Sequence, residues 1–259
     1  MPDLRIFSYL PNPRIWKSII AARLAGVALD VRGAKPRELP QWLWDFEPCP
    51  LSEVGEAERR AAERKAHTGF SGTLHKTDAF LQANPTGAVP CAFSPDGRIG
   101  IFESNSIMRA VARLGEPGHG LYGGSALESA RIDGFLDISL VFARDSQRYL
   151  LAIGGRKLNA VVHEQARGGY HAYLGALEQA LAHGEYLCGD TLTLADIAFA
   201  CEFALFARER KAADYLDELG LPVISDLAPY PRAAALVERL CAHPAFRPEL
   251  EGAIPELTS

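Results

Sequence analysis

The chain has little of what would direct it to nucleic acid or to a membrane. It has 27 Lys and Arg against 32 Asp and Glu, a formal net charge of -5. A phosphate-binding surface normally shows as a basic excess, so nucleic acid is not the expected partner. No uncharged apolar run of about 18 residues occurs, and the start Met1-Pro2-Asp3 lacks the charged-then-apolar pattern of a signal peptide. We therefore expect a soluble, cytoplasmic protein.

Paired cysteines and metal-ligand spacings are also absent. The five cysteines are an odd number without paired spacing, which fits reduced thiols in the cytosol. Neither a C-x-x-C motif nor a cluster of His and Cys is present, so no metal site is expected. With 259 residues, of which 48% are hydrophobic, the chain can bury one large or two moderate cores.

The first half of the chain alternates short strands and helices. Alternation of apolar residues predicts strands, and an apolar stripe predicts helices. The predicted elements are a strand over Leu4–Tyr9, a helix over Pro13–Gly26, a strand over Val27–Val31, a hairpin of Cys91–Phe93 with Arg98–Phe102, and a helix over Asn105–Leu114. This βαβ-then-ββα order indicates an α/β domain.

The second half carries almost no strand signal. Four segments have the apolar stripes of bundle helices: Ala126–Ile153, Lys157–His183, Thr193–Tyr215 and Pro231–His243. The third begins with a capping box in which Thr193 caps the helix and Asp196 reaches back, a structural role for both. Glycines and a proline fill the stretch between residues 115 and 125, so we place the boundary between the two predicted domains there.

Residues 36–72 form an unusual segment inside the first domain. It begins with the aromatic residues Trp42, Trp44 and Phe46 and continues with Ser52–His67, which is charged and alanine-rich enough to predict an exposed helix. The aromatic side chains either roof a substrate site or pin the segment to the body of the domain. Pinning is favoured, because buried aromatic residues usually serve packing.

The most informative motif is Asn-Pro-Thr-Gly-Ala-Val-Pro at residues 84–90, followed by Glu103-Ser104. The cis form is cheap only before proline, and a cis Val89–Pro90 bond would turn the Val89 peptide group outward. Glu103 and Ser104 fall where a strand passes into a helix. There a carboxylate, a hydroxyl and unpaired helix N–H groups can meet the carboxylate and ammonium of a zwitterionic ligand.

These residues resemble the glutathione transferase superfamily, in which an N-P-x-G-x-V-P loop and an E-S pair grip the γ-glutamyl group of glutathione. The resemblance extends to Gly189–Ala198, similar to the family's G-D-x-x-S/T-x-A-D-I helix start, and to Tyr230–Arg232 and Arg239–Phe246 near the closing helix. It implies a thioredoxin-like glutathione-binding domain over residues 1–115, with residues 36–72 as an insertion, and an all-α C-terminal bundle over residues 125–259. Glutathione would be the co-substrate.

The resemblance also implies which residues bind glutathione. Val89 would bind it through its backbone beside Pro90, Glu103 and Ser104 would hold the γ-glutamyl group, and Lys76 would reach the glycine carboxylate. Local interpretations remain open: Ser104 as a helix cap only, and Lys76 as a solvated loop residue.

An activated thiol needs a hydrogen-bond donor near the start of the first helix, and no cysteine or family-placed serine is present there. Asn12 is the first candidate, Tyr9 the second and Ser8 the third, with Arg14 or Lys17 adding positive potential. Asn12 as a plain turn residue before proline is an equal alternative.

Three functions fit the resemblance. The first is transfer of glutathione thiolate to an apolar or aromatic electrophile, with Phe142, Arg144, Tyr149 and Tyr170 as pocket linings. The second is a sharper version of it, cleavage of β-aryl ethers derived from lignin. The third is a non-catalytic interaction module similar to the transferase-like domain of the elongation factor 1 gamma subunit, which the first domain also resembles. A homodimer or a heterodimer with another transferase subunit is implied in each case.

Overall fold

The computed structural model describes residues 2–66 and 70–254. The chain divides into two compact units, Met1–Glu116 and Pro117–Ser259. This division falls within the predicted linker between residues 115 and 125. Residues 67–69 of the predicted insertion, and residues 255–259 of the predicted second domain, lie outside the described residues.

The first unit is built on an α/β sheet. Its elements in chain order are β1 (Leu4–Tyr9), α1 (Pro13–Ala25), β2 (Leu29–Ala34), β3 (Trp42–Trp44), β4 (Cys49–Pro50), α2 (Glu56–Ala62), β5 (Glu63–Lys65), β6 (Thr73–Lys76), α3 (Asp78–Ala83), β7 (Cys91–Phe93), β8 (Gly100–Phe102) and α4 (Ser104–Leu114). The main sheet has the order β2-β1-β7-β8, with β1 parallel to β2 and antiparallel to β7. This is the predicted thioredoxin-like arrangement of βαβ followed by ββα.

Strand β1 is the centre of this sheet. Ile6 and Phe7 point to opposite faces and are both fully buried, because each face of the sheet is covered. Helix α1 follows through Asn12 as N-cap and Pro13 in the first turn, and it ends at Gly26, whose φ of 72° is the left-handed conformation that favours glycine. These local signals deliver the chain back to β2 in parallel.

Strands within residues 42–65 and 73–76 form a second sheet, which the sequence did not predict. Its order is β4-β3-β6-β5, and β5 pairs antiparallel with β6. The predicted exposed helix over Ser52–His67 is wrong in extent: α2 spans only Glu56–Ala62 before the chain turns into β5. Strands of two to four residues are too short to show a period of two, so an alanine-rich and charged segment predicts helix instead.

The aromatic side chains of this second sheet pack onto the main one. Trp44 is 1% exposed and belongs to the same cluster as Phe7, Phe80 and Phe93. Its Nε1 donates to the Leu39 carbonyl at 3.1 Å, so its polar edge is satisfied inside the core. The geometry supports pinning as the role of Trp44.

The second unit consists of helices. They are α5 (Ala126–Gly154), α6 (Ala160–Ala180), α7 (Leu194–Phe206), α8 (Ala213–Glu218), α9 (Pro231–Ala242) and α10 (Arg247–Leu250). The capping box is confirmed at the start of α7, every residue of which is buried. The predicted helix over Thr193–Tyr215 is instead interrupted by a 3₁₀ segment over Ala207–Ala212. None of the described helices combines the length and apolar character needed to cross a bilayer.

Candidate functional site

The loop over residues 84–90 is held rigidly by its own side chains. Asn84 is fully buried, and its Nδ2 donates to the carbonyl of Ala88 at 2.7 Å. The hydroxyl of Thr86 donates to Asn84 Oδ1 at 2.7 Å. The Val89–Pro90 peptide bond is cis, as the sequence predicts. The loop is therefore shaped before any ligand arrives.

Val89 lies where the pairing of the main sheet stops. The ladder between β1 and β7 ends at the pair Phe7 and Cys91, and Val89 and Pro90 are half-buried just beyond it. A peptide lying beside Val89 could pair with the backbone of this residue, just beyond the end of the ladder. Cys91 itself offers no exposed nucleophile, because its side chain is buried and burial raises the pKa of the thiol.

Glu103 and Ser104 form the corner between β8 and α4. Glu103 is exposed and has a φ of 68°, a conformation that is costly for a residue with a Cβ and that often marks functional sites. Ser104 opens α4 and is 5% exposed. Glu103, not Ser104, occupies the N-cap position, and the side chain of Glu103 makes no capping hydrogen bond. The helix start is thus open toward a ligand anion.

A buried lysine lies beneath this corner. Lys17, on α1, is 0% exposed, and its Nζ donates to Asn105 Oδ1 at 2.8 Å and to Ser104 Oγ at 3.4 Å. Helices α1 and α4 pack against each other, so the lysine links the first helix directly to the Glu103-Ser104 corner. Sequence reasoning named Lys17 only as a source of positive potential and missed this contact.

Lys76 is held by the loop and not by solvent. It is 7% exposed, its Nζ donates to the carbonyl of Gly87 at 2.7 Å, and the ammonium lies 4.8 Å from the ring centroid of Trp44. Burial lowers the pKa of this amine. The ammonium therefore stabilises the cis-proline loop from inside. If Lys76 also binds the glycine carboxylate of glutathione, as expected from the resemblance, the same ammonium must donate to both groups.

The predicted thiol-contacting residues are placed very differently from one another. Asn12 and Ser8 are both 0% exposed. Asn12 Oδ1 accepts from the backbone N–H of Arg14 at 3.0 Å as an N-cap, and Asn12 Nδ2 donates to Ser8 Oγ at 3.0 Å. This geometry supports a structural role for both. Tyr9, at the end of β1, is half-buried and keeps some exposed surface.

Of the four predicted linings of an electrophile pocket, Arg144 is exposed and the three aromatic residues are buried. Phe142, Tyr149 and Tyr170 are at most 2% exposed and pack around Phe206 in the core of the second unit. The hydroxyl of Tyr149 donates to the buried Glu209 at 2.6 Å. These three assignments are corrected to core residues, because bulky aromatic side chains on bundle helices fill the interior first.

The comparisons with known proteins agree on the fold. Residues 160–239 match the family described as "Glutathione S-transferase, C-terminal domain". A delta-class glutathione transferase of Nilaparvata lugens aligns with a TM-score of 0.62 at 17% identity, over 99% of this chain and 95% of that one. A glutathione S-transferase of Methylobacillus flagellatus, solved with gsh bound, aligns with a TM-score of 0.63 at 14% identity, over 95% of this chain and 98% of that one. At such identities the likeness speaks for the fold alone.

Similar sequences carry a different description. "Elongation factor 1-gamma 1" of Oryza sativa subsp. japonica is 39% identical over 140 residues, which are 53% of this chain and 33% of the relative. "Probable elongation factor 1-gamma 1" of Arabidopsis thaliana is 30% identical over 204 residues, 78% of this chain and 40% of the relative. The chain thus matches about a third to two fifths of these relatives' length. The two-unit chain thus has the fold of the glutathione S-transferases, and residues 160–239 carry the C-terminal domain of that family.

Proposed function

We propose that the protein binds glutathione on its first unit and directs the tripeptide's thiolate at an apolar or aromatic electrophile. The observation that carries the proposal is a rigid pair of features on either side of the hairpin of β7 and β8. These are the cis Val89–Pro90 turn and the Glu103-Ser104 corner with its strained φ of 68°. In this proposal Val89 pairs with the cysteinyl backbone of the peptide, and Glu103 and Ser104 take the γ-glutamyl ammonium and carboxylate.

The thiol must also be activated. A free thiol has a pKa near 8.5, so lowering it by about two units stabilises the thiolate by roughly 2.7 kcal/mol and makes most of it available at neutral pH. We assign the stabilising hydrogen bond to the hydroxyl of Tyr9, because among the three candidates it alone keeps exposed surface. Asn12 and Ser8 then shape the first turn of α1, and Lys76 orders the loop.

The ultraviolet absorbance of bound thiolate tests this assignment. Titrating pH with saturating glutathione should give a lowered thiol pKa in the wild type and in Asn12→Ala, and a pKa near that of free glutathione in Tyr9→Phe. Asn12→Ala is the matched control, since it should cost about 1 kcal/mol of stability through the lost N-cap without moving the thiol pKa. A normal thiol pKa in the wild type would contradict the transferase proposal. A thiol pKa that returns to the free value in Asn12→Ala but stays lowered in Tyr9→Phe would assign the hydrogen bond to Asn12 instead.

Within the class of apolar and aromatic compounds, the electrophile is to be identified by assay. Conjugation of a panel of aromatic electrophiles, and release of phenol from a β-aryl ether ketone, are the two assays that separate general transfer from lignin-type ether cleavage. No described residue of this chain singles out an aryl ether. A dimer, expected from the family resemblance, is tested by light scattering of the purified protein.

A non-catalytic interaction module is the second candidate. The relatives named elongation factor 1-gamma favour it, with 39% identity over 140 residues in one rice protein. It predicts that glutathione, if bound, keeps the thiol pKa of the free peptide, and that a partner protein copurifies with the chain. The titration above therefore discriminates the two candidates directly.

A further inference from the structure

We propose that Lys17 is the positioning residue of the Glu103-Ser104 corner: buried under the start of α4, it fixes Ser104 as a hydrogen-bond donor toward the α-carboxylate of a γ-glutamyl ligand. The inference rests on the proposed binding of glutathione and adds to it a residue on a different helix. It also names the ligand group on which specificity depends.

Lys17 places a charged group in the interior of the first unit. Lys17 is 0% exposed on α1, and lysine is rarely buried completely, because an ammonium removed from water is costly unless its donors are satisfied. Two of its contacts run to the first two residues of α4: 2.8 Å to Asn105 Oδ1 and 3.4 Å to Ser104 Oγ. Asn105 is itself 0% exposed and anchors the cation. The positive charge is thus fixed directly behind the helix start.

The contact with Lys17 determines the direction in which the Ser104 hydroxyl donates. An ammonium can only donate hydrogen bonds, whereas a hydroxyl has one hydrogen to donate and two lone pairs that accept. Ser104 must therefore be the acceptor in its contact with Lys17, and its hydroxyl hydrogen points elsewhere. Ser104 is 5% exposed at the open first turn of α4, so that hydrogen serves a ligand in the corner.

The electrostatic potential at the Glu103-Ser104 corner is positive. The N-terminal N–H groups of an 11-residue helix already favour an anion. A buried ammonium 3.4 Å from the Ser104 oxygen adds a full charge of the same sign, in surroundings where water screens it little. Hydroxyl, helix start and ammonium all favour one carboxylate. A hydrogen in place of that carboxylate would lose all three contributions together, whereas an amide would keep an acceptor but lose the charge.

A pair of peptides isolates this effect. Glutathione is compared with the peptide in which 4-aminobutyrate replaces the γ-glutamyl residue, which keeps the amine and the thiol but lacks the α-carboxylate. Calorimetry should give the wild type a preference for glutathione of about 10- to 100-fold, the worth of hydrogen bonds to a charged group. Lys17→Met should reduce that preference about tenfold while leaving the affinity for the shorter peptide almost unchanged.

Control variants separate positioning from folding. Lys17→Arg keeps the charge and should restore part of the preference. Arg23→Met removes a cation from the last turn of the same helix, where the residue is exposed, and should leave the ratio of the two affinities unchanged. A general structural defect in Lys17→Met would lower both affinities alike. An unchanged ratio or a parallel loss overturns the role of Lys17 while glutathione binding by the wild type stands.

The wild type gives a second measurement that needs no variant. The nitrogen-15 resonance of the Lys17 Nζ should shift on adding glutathione and stay in place on adding the 4-aminobutyryl peptide. A shift of equal size with both peptides contradicts the inference. If the wild type binds neither peptide, the proposed function fails first, and the inference with it.

Discussion

Asp196 shows at the residue scale how burial and hydrogen bonding oppose each other. Its carboxylate accepts from the N–H of Leu187 at 2.9 Å, and from the N–H and hydroxyl of Thr193 at 2.8 and 3.1 Å. Those bonds favour the ionised form, yet burial outweighs them and raises the pKa of Asp196 to about 6. The carboxyl group is therefore easier to protonate in the folded protein than in the unfolded chain.

This predicts a pH dependence of stability with a definite sign. Between pH 4 and 6 the folded state binds more protons at Asp196 than the unfolded state, so this group's contribution falls as pH rises, by at most about 3 kcal/mol. Asp196→Asn cannot titrate, so its destabilisation relative to the wild type should be largest at pH 4 and shrink by 1 to 3 kcal/mol, as rough bounds, by pH 7. Urea unfolding of both proteins across this range measures it. A penalty that grows with pH would mean that the hydrogen bonds hold the pKa below its usual value.

Lys17 illustrates why one residue of the site could not be recognised from its type. Lysine on a helix is normally solvated, and nothing in its own chemistry marks it as buried. Its position carried the signal: Ala21, one turn further along the same face of α1, is fully buried, so Lys17 lies on the core-facing stripe. Val89, Glu103 and Ser104, by contrast, lie in a motif whose turn and helix start have recognisable chemistry.

At the element scale, local sequence signals correctly predicted the bounds of those helices and strands that depend on local sequence alone. Strand β1 has the predicted bounds Leu4–Tyr9, and the capping box set the start of α7. The second sheet could not be predicted, because its pairings join residues distant in sequence, such as Leu43 with His75. Short strands of this kind exist only through tertiary contacts, which local periodicity does not contain.

The second sheet should be essential to the first unit through Trp44. Trp44→Ala removes a side chain that packs against Phe7 and Phe80 at ring-centroid distances of 5.6 and 6.0 Å, so a loss of about 3 to 5 kcal/mol is expected. Trp42→Ala is the matched control: this ring is half-buried and 6.4 Å from that of Phe7, and its loss should cost clearly less. Chemical unfolding measures both. Equal costs would contradict the pinning role of Trp44.

Strand β8 should tolerate no side chain at Gly100. A Cβ there would lie 2.1 Å from the carbonyl oxygen of Ala83, a backbone atom that cannot move aside easily. Gly100→Ala should therefore destabilise the protein by more than about 1 kcal/mol, the scale of overpacking a tight site. Gly134→Ala supplies the control of opposite sign. It is exposed in α5 with nothing near its Cβ position, so alanine should stabilise the protein by about 0.5 to 1 kcal/mol.

At the scale of the whole molecule, the distribution of tryptophan allows binding to be located in one unit. All three tryptophans, Trp16, Trp42 and Trp44, lie within Met1–Glu116, whereas the long helices α5 and α6 lie in the other unit. Tryptophan fluorescence therefore reports unfolding of the first unit, and far-ultraviolet circular dichroism is dominated by helices of the second. The two signals can be followed in a single thermal experiment.

Glutathione should raise the fluorescence-monitored unfolding midpoint in proportion to the logarithm of its concentration. A ligand that binds only the folded state adds about 2.7 kcal/mol of stability at 100 times its Kd, which corresponds to several degrees for a unit of this size. Ser104→Ala should shift the concentration dependence to higher glutathione, with each midpoint measured relative to that of the ligand-free variant. Oxidised or S-methylated peptides serve as competitors that retain the γ-glutamyl group. A circular dichroism midpoint that rises while the fluorescence midpoint stays constant would place the binding site outside the first unit, and would remove Val89, Glu103 and Ser104 from it together.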